Sequence, residues 1–221
     1  MEHIVNTVSA ENQMVNSSEL SFLGDPKAPL RILILGNSIT RHGPKEDIGW
    51  PYDWGMAASA PEKDYVHRLY AKLQESGIDA YLRIRQASCW EVNIREEGYL
   101  SHFEEDRAFG ADLVIFRLGE NVKPENVPYL KDATREFMNF FCAGGAKGIM
   151  TTCFNWARAE KDRILGEIAA ELSVPYLDIG CDDDRYMALG KFEHHGVSTH
   201  PGDEGMEMIA DRLAACVKGM V

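Results

Sequence analysis

Short apolar runs alternate with longer amphipathic stretches along most of the chain. Five runs have the pattern of strands, and they span residues 30–36, 79–86, 112–119, 147–153 and 174–180. Between them lie stretches with helical spacing, such as the one in which Tyr65, Leu69 and Leu73 recur every fourth residue. Because parallel strands must be joined by crossovers, this alternation predicts an α/β domain with a mostly parallel five-stranded sheet covered on both faces.

A polar segment precedes this pattern. Residues 1–25 show no clear periodicity, and the GDPKAP stretch at 24–29 is typical of a connection, because glycine and proline interrupt regular structure. We therefore predict an N-terminal arm or extension over residues 1–25 and one domain over residues 26–221, a length that suffices for a single core. The arm either covers an edge of the sheet or reaches a neighbouring subunit, in which case the protein is a homo-oligomer.

The bulk composition excludes several classes of protein. A net charge of −12 gives no general attraction for phosphate backbones, so we expect no nucleic-acid partner. No run of about 18 apolar residues is present, so we expect no membrane span. The first residues lack the basic start and apolar stretch of a signal peptide, and the five cysteines are scattered. A cytoplasmic location is the default expectation, and the mature form of a secreted protein is the alternative.

Polar residues follow two of the predicted strands at the point where each strand ends. The triplets GNS at 36–38 and GEN at 119–121 would meet at the carboxyl edge of the sheet, where ligands bind in folds of this type. A serine nucleophile needs a base and donors for the oxyanion. Ser38 is the candidate nucleophile, His200 the candidate base, and Asn121 a candidate oxyanion donor. A lone serine after a strand most often caps a helix, so the prediction depends on the ordered set.

The three blocks GNSIT, LGEN and HPGDEGM resemble those of the SGNH hydrolases, also called GDSL esterases or lipases. The resemblance implies a flavodoxin-like three-layer α/β/α sandwich and ester hydrolysis through an acyl-serine intermediate, with no metal or other cofactor. By motif match, Ser38 is the nucleophile and His200 the base. Asn121 and the backbone N–H of Ser38 belong to the oxyanion hole. Asn37 stands where the family usually has aspartate, which keeps hydrogen-bonding capacity and loses a charge.

The chain departs from the family where a glycine should supply another oxyanion donor. The corresponding segment, residues 83–93, contains no glycine. The donor is a backbone N–H, which does not require glycine when the backbone dihedrals suit a side chain. Either Ala87 or Ser88 could serve, and we prefer Ser88.

A second departure concerns the acid that usually orients the histidine. Val197 occupies the position three residues before His200 where the family has aspartate. The backbone carbonyl of Val197 could orient the imidazole without supplying a full charge. Alternatively, Glu193 or one of the acids at 182–184 folds back to do so. Loss of the acid also leaves open a catalytically degenerate carbohydrate-binding protein on the same fold.

The segment after the serine, residues 41–66, contains several aromatic residues among glycine and proline. Either the rings pack together as a small satellite core, or they form a wall beside the serine that suits a sugar ring or a short acyl group. The second interpretation makes Trp50, Trp54 and Trp90 candidate substrate-binding residues. Arg41 either contacts the substrate or packs at the start of the loop.

Together these features predict a serine esterase for short-chain, acetyl esters of small molecules or carbohydrates. The alternatives are a lipase-like or thioesterase enzyme of the same family and the degenerate binding protein. The adjacent His194 and His195 have no second cluster to complete a metal site, so we expect none. The first turn lacks GxGxxG, which argues against nucleotide binding.

Overall fold

The computed structural model of the protein describes residues 19–154 and 158–221, and a six-stranded sheet lies at its centre. The spatial order of the strands is β1-β3-β2-β4-β5-β6, with β1 antiparallel to β3 and the other neighbours parallel. The strands are β1 (Leu20–Leu23), β2 (Leu30–Gly36), β3 (Ala80–Gln86), β4 (Leu113–Arg117), β5 (Lys147–Thr151) and β6 (Tyr176–Leu177). Apart from β1, this is the strand order of flavodoxin-like folds.

Helices cover both faces of the sheet. Two long helices pack with the side chains of one face, and two others pack with the opposite face, each pair enclosing a separate apolar cluster. The helices are α1 (Tyr65–Glu75), α2 (Ser88–Val92), α3 (Glu104–Ala108), α4 (Val127–Cys142), α5 (Ala159–Leu172), α6 (His195–Ser198) and α7 (Asp203–Lys218). Helices α1 and α7 form one outer layer, and α4 and α5 form the other. The predicted three-layer α/β/α sandwich is confirmed.

The strand count is six rather than the predicted five, because β1 lies within the predicted arm. A four-residue strand between polar residues and a glycine gives no periodic signal that sequence reasoning can detect. Its Phe22 stacks on Tyr81 of β3, with ring centroids 5.5 Å apart. This part of the arm therefore covers the β3 edge of the sheet. The preceding residues 1–18 lie outside the described residues, so the oligomer contact remains a prediction.

The long helices follow the predicted apolar spacing. Helix α1 buries Tyr65, Leu69 and Leu73, and the Asp64 side chain accepts the His67 N–H at its beginning (2.8 Å), as an N-cap does. Within the described residues, no helix combines the length and apolar character needed to cross a bilayer.

Strands β2 and β4 are neighbours, and their ends are in register. Gly36 pairs with Arg117, so the segments that follow both strands leave the sheet at the same edge. Gly36 is required there, because a Cβ at this position would lie 1.8 Å from Thr40 Oγ1. Residues 37–40 form a tight turn that brings Thr40 against Gly36, and in this turn the Thr40 N–H donates to the Asn37 carbonyl (2.9 Å). This turn places Ser38 at the carboxyl edge of the sheet.

Candidate active site

Ser38 and His200 meet at this edge, although 162 residues separate them. The distance from Ser38 Oγ to His200 Nε2 is 2.7 Å, and His200 is 8% exposed. On the far side of the ring, Nδ1 lies 2.6 Å from the carbonyl oxygen of Gly196. Because a carbonyl oxygen only accepts, Nδ1 carries the proton and Nε2 presents its lone pair to the Ser38 hydroxyl. The arrangement is that of a nucleophile and its general base.

The group that orients His200 is the Gly196 carbonyl, so the prediction of Val197 is wrong. The Val197 carbonyl accepts the backbone N–H of His200 (3.0 Å) and is thereby occupied within the turn. The Gly196 carbonyl stands four residues before His200, a spacing at which side chains can bond back to the backbone of a helical turn. No described carboxylate is hydrogen-bonded to Nδ1 in place of the family's aspartate.

Burial holds the imidazole in its neutral form. Desolvation lowers the pKa of His200 to about 4, and the Gly196 carbonyl and the Glu120 carboxylate oppose this effect only in part. At neutral pH the ring is therefore a free base that can accept the serine proton. No carboxylate of the described residues is hydrogen-bonded to the ring to stabilise an imidazolium fully.

Asn121 lines the same cleft as Ser38. This cleft has a volume of about 390 Å³ and is formed by Ser38, His42, Gln86, Ser88, Val92, Asn121 and Lys123. The Asn121 side chain donates one Nδ2 hydrogen to Glu91 Oε2 at 2.6 Å. An amide nitrogen has two hydrogens, so the second is available to a substrate oxygen in the cleft.

Ser88 also lines the cleft, and its N–H already has a partner. The Ser88 N–H donates to Gln86 Oε1 at 3.1 Å, and its hydroxyl donates to the same oxygen at 3.0 Å. A substrate oxyanion bound by this N–H would take the place of the Gln86 amide oxygen. The oxyanion role of Ser88 therefore remains a prediction.

Asn37, next to the serine, belongs to a buried polar network that sequence reasoning missed. The Arg117 guanidinium is fully buried and donates to Glu120 Oε1 (2.7 Å) and to Asn37 Oδ1 (2.6 Å). In turn, Asn37 Nδ2 donates to Glu120 Oε2 at 2.6 Å. An aspartate at position 37 would set a carboxylate against that of Glu120 and lose this donor. The amide in place of the family's aspartate is thus explained by Glu120.

Signals for this network were present in the sequence. Arg117 ends an otherwise apolar buried strand, and Glu120 follows it by three residues. A charge in such a strand must be paired when it is buried. The pairing could have been predicted from this spacing, whereas the bond to Asn37 depends on the register of β2 and β4.

The predicted substrate-binding residues do not reach the cleft. Trp90 is 2% exposed and packs on Phe116 and Phe137 in the core. Trp50 is completely buried, and Trp54 is partly buried beside it with ring centroids 6.0 Å apart. Trp50 and Trp90 therefore pack inside the protein rather than against a ligand, and their assignment as a substrate wall is wrong. Trp54 is not among the described residues that line the cleft, and its role stays a prediction.

Arg41 is likewise absent from the cleft lining. Its side chain is largely buried, and Nη2 lies 3.2 Å from Asp53 Oδ2 within the same loop. This contact agrees with the alternative that Arg41 packs at the start of the loop.

The aromatic loop instead supports the segment that carries His200. Its satellite core contains Trp50 and Met56, and Val197 of α6 is buried among them. Phe192 packs on Trp50 from the same side, with centroids 5.8 Å apart. The loop therefore holds the turn whose Gly196 carbonyl orients the imidazole.

Comparison with known proteins identifies this architecture. No family model and no curated protein matches the sequence. Among solved structures, the acetylxylan esterase Axe2 from Geobacillus stearothermophilus superimposes with a TM-score of 0.60 at 15% identity, over 86% of this chain and 94% of that chain. A candidate GDSL-like lipase from Parabacteroides merdae gives 0.61 at 14% identity, over 87% and 97% of the two chains.

TesA is a third structure of this kind, with a TM-score of 0.58 at 14% identity, over 86% of this chain and 99% of that chain. At such identities the likeness establishes the fold alone. The chain has the α/β fold of the SGNH hydrolases, which confirms the fold that the motifs predicted.

Proposed function

We propose that the protein is a serine esterase of the SGNH type that hydrolyses short-chain, principally acetyl, esters. The observation that carries the proposal is the Ser38–His200 pair, with Oγ 2.7 Å from Nε2 and Nδ1 fixed by the Gly196 carbonyl. A hydroxyl and an amide donor line one cleft, and a neutral buried imidazole lies against the hydroxyl. These are the parts that acyl transfer needs.

The reaction proceeds in two steps. Ser38 Oγ attacks the ester carbonyl carbon while its proton passes to His200 Nε2, and the carbonyl π electrons move onto the oxygen. Asn121 Nδ2 and the backbone N–H groups of Ser38 and Ser88 donate to this oxyanion. When the intermediate collapses, the alcohol oxygen leaves with the proton from Nε2. Water then attacks the acyl-serine by the same route, which releases the carboxylic acid and restores Ser38.

A carbohydrate ester is the substrate class we propose. The acetylxylan esterase Axe2 shares the fold, and the cleft is lined mainly by polar side chains that suit a hydroxylated alcohol. Because fold does not fix substrate, this part of the proposal depends on experiment.

Chain-length preference tests the proposal. We expect p-nitrophenyl acetate to be hydrolysed with a kcat/KM about 10-fold or more above that of the octanoate ester. Among the described residues that line the cleft, Val92 alone has an apolar side chain to receive an alkyl chain. Both rates are measured against Ser38→Ala as the blank. A preference for octanoate would instead support the lipase-like or thioesterase alternative. Acetate release from acetylated xylo-oligosaccharides tests the carbohydrate part separately.

A further inference from the structure

Glu91 is a buried acid that lies beneath the cleft without touching Ser38 or His200 in the described hydrogen bonds. Its side chain is enclosed on α2, and its carboxylate accepts hydrogen bonds from the segment that follows β4. Oε1 accepts the N–H groups of Gly119 (2.6 Å) and Asn121 (3.1 Å), and Oε2 accepts Asn121 Nδ2 (2.6 Å). Three bonds from one short segment converge on one carboxylate.

We infer that Glu91 is the positioning residue of the oxyanion hole, acting through the Asn121 side chain. The inference rests on the proposed function, because it assigns Asn121 the role of oxyanion donor. An ionised carboxylate can only accept, so it forces the nitrogen of the Asn121 amide, and not its oxygen, to face Oε2. The rotamer and the amide orientation are both fixed before substrate arrives, and the second Nδ2 hydrogen is left for the substrate.

Glu91 is completely buried, and its hydrogen bonds indicate a role beyond filling space in the core. An ionised carboxyl is costly to bury unless it is hydrogen-bonded, and these bonds all hold one segment of the candidate site. A fourth, longer contact comes from Asn37 Nδ2 at 3.4 Å, from the turn that carries Ser38. This contact is weak beside the 2.6 Å bonds from Gly119 and Asn121, so the role of Glu91 is assigned through Asn121.

A double-mutant cycle tests the inference. We expect Asn121→Ala to lower kcat for p-nitrophenyl acetate by about 10²- to 10³-fold, as removal of an oxyanion donor does. Glu91→Gln should lower kcat by about 10-fold or more with little change in KM. The glutamine oxygen would face the backbone N–H groups of Gly119 and Asn121, so its amide nitrogen would face that of the Asn121 side chain. The double variant should be no slower than Asn121→Ala alone, because Glu91 acts only through Asn121.

Asp106→Asn is the matched control. Asp106 of α3 is another buried carboxylate, and its Oδ1 lies 2.7 Å from Arg83 Nε. It is not among the described residues that line the cleft. Combined with Asn121→Ala, its effect on kcat should multiply as for independent sites. If the effects of Glu91→Gln and Asn121→Ala on kcat also multiply in their double variant, the inference is overturned. A wild-type kcat in Glu91→Gln alone would overturn it as well.

The pH dependence gives a readout that a merely structural role would not move. Burial, and then the Glu120 carboxylate, raise the pKa of Glu91 to about 6. The charged side chains of the described residues that lie at this network are Glu120, the Arg117 that neutralises it, and the buried Lys161, whose Nζ donates to the Glu120 carbonyl oxygen at 3.0 Å. Protonation turns one of the two carboxylate oxygens into a donor, so Glu91 can no longer accept fully from both the backbone N–H groups and the Asn121 amide. Wild-type kcat/KM should therefore fall as the pH drops through about 6. In Glu91→Gln this fall should be absent until His200 protonates near its pKa of about 4.

The wild-type profile keeps the test valid if Glu91→Gln fails to fold. A wild-type profile with no inflection near pH 6 would then contradict the inference. Ser38→Ala separates this result from failure of the proposed function. If Ser38→Ala retains the wild-type rate, the proposed function itself is wrong; if it is inactive and Glu91→Gln is normal, only the role of Glu91 is wrong.

Discussion

Replacing His200 with alanine should lower kcat/KM for p-nitrophenyl acetate by about 10³-fold or more. The variant removes the only group placed to take the Ser38 proton in the described structure, since Nε2 lies 2.7 Å from Oγ. A serine hydroxyl without a base is a weak nucleophile at neutral pH. Steady-state kinetics at saturating and low ester concentrations measure the loss in kcat and in kcat/KM.

His195→Ala is the control for this variant. His195 belongs to the same short helix, but its side chain is exposed, so its removal should leave the rate within about 2-fold of wild type. A His200→Ala enzyme that keeps more than a tenth of wild-type activity would contradict the assignment of His200 as the base.

The second large effect concerns stability. Arg117→Met should lower the free energy of unfolding by about 3 to 5 kcal/mol, because it leaves the buried Glu120 carboxylate without its cation. The loss also removes the donor to Asn37 Oδ1, which lies beside the nucleophile. Urea unfolding followed by fluorescence measures the midpoint and the slope, which together give the free energy.

Neutralising the partner should restore much of this stability. In the double variant Arg117→Met with Glu120→Gln, the uncompensated charge is gone, so at least half of the loss should be recovered. As the control, Arg107→Met removes an exposed arginine whose pairing with Glu104 is long, at 3.8 Å, and should cost less than about 1 kcal/mol. An equal cost for Arg117→Met and Arg107→Met would show that the buried pair contributes no more than a surface one.

Periodicity predicted most of the fold because long, strongly patterned segments determine it. Strand β2 occupies the predicted residues 30–36, and α1 buries the predicted Tyr65, Leu69 and Leu73. Strand β1 was not predicted, because its four residues are too few to show a period. The rule for carboxyl ends of strands predicted that Ser38 and Asn121 lie at one edge. The meeting of Ser38 with His200 was predicted from the order of the motifs.

The support of His200 was not predictable from residue type. A backbone carbonyl carries no sequence signature, so the choice between Gly196 and Val197 depends on the turn geometry that only the structure gives. The aromatic loop shows a related limit. Tryptophan is suited both to a core and to a sugar-binding wall, and its composition alone does not tell which way Trp50 faces. In the structure its ring is buried in one apolar cluster with Val197.

The central claim is that Ser38 is a nucleophile activated by His200, and covalent labelling tests it most directly. The wild-type protein is treated with a fluorophosphonate, and the site of the adduct is located by mass spectrometry of its peptides. We predict a single adduct on Ser38 that forms in wild type and is strongly slowed in His200→Ala, because loss of the base leaves an unactivated hydroxyl. A wild-type protein that gives no adduct at Ser38, or one labelled equally fast without His200, would contradict the account.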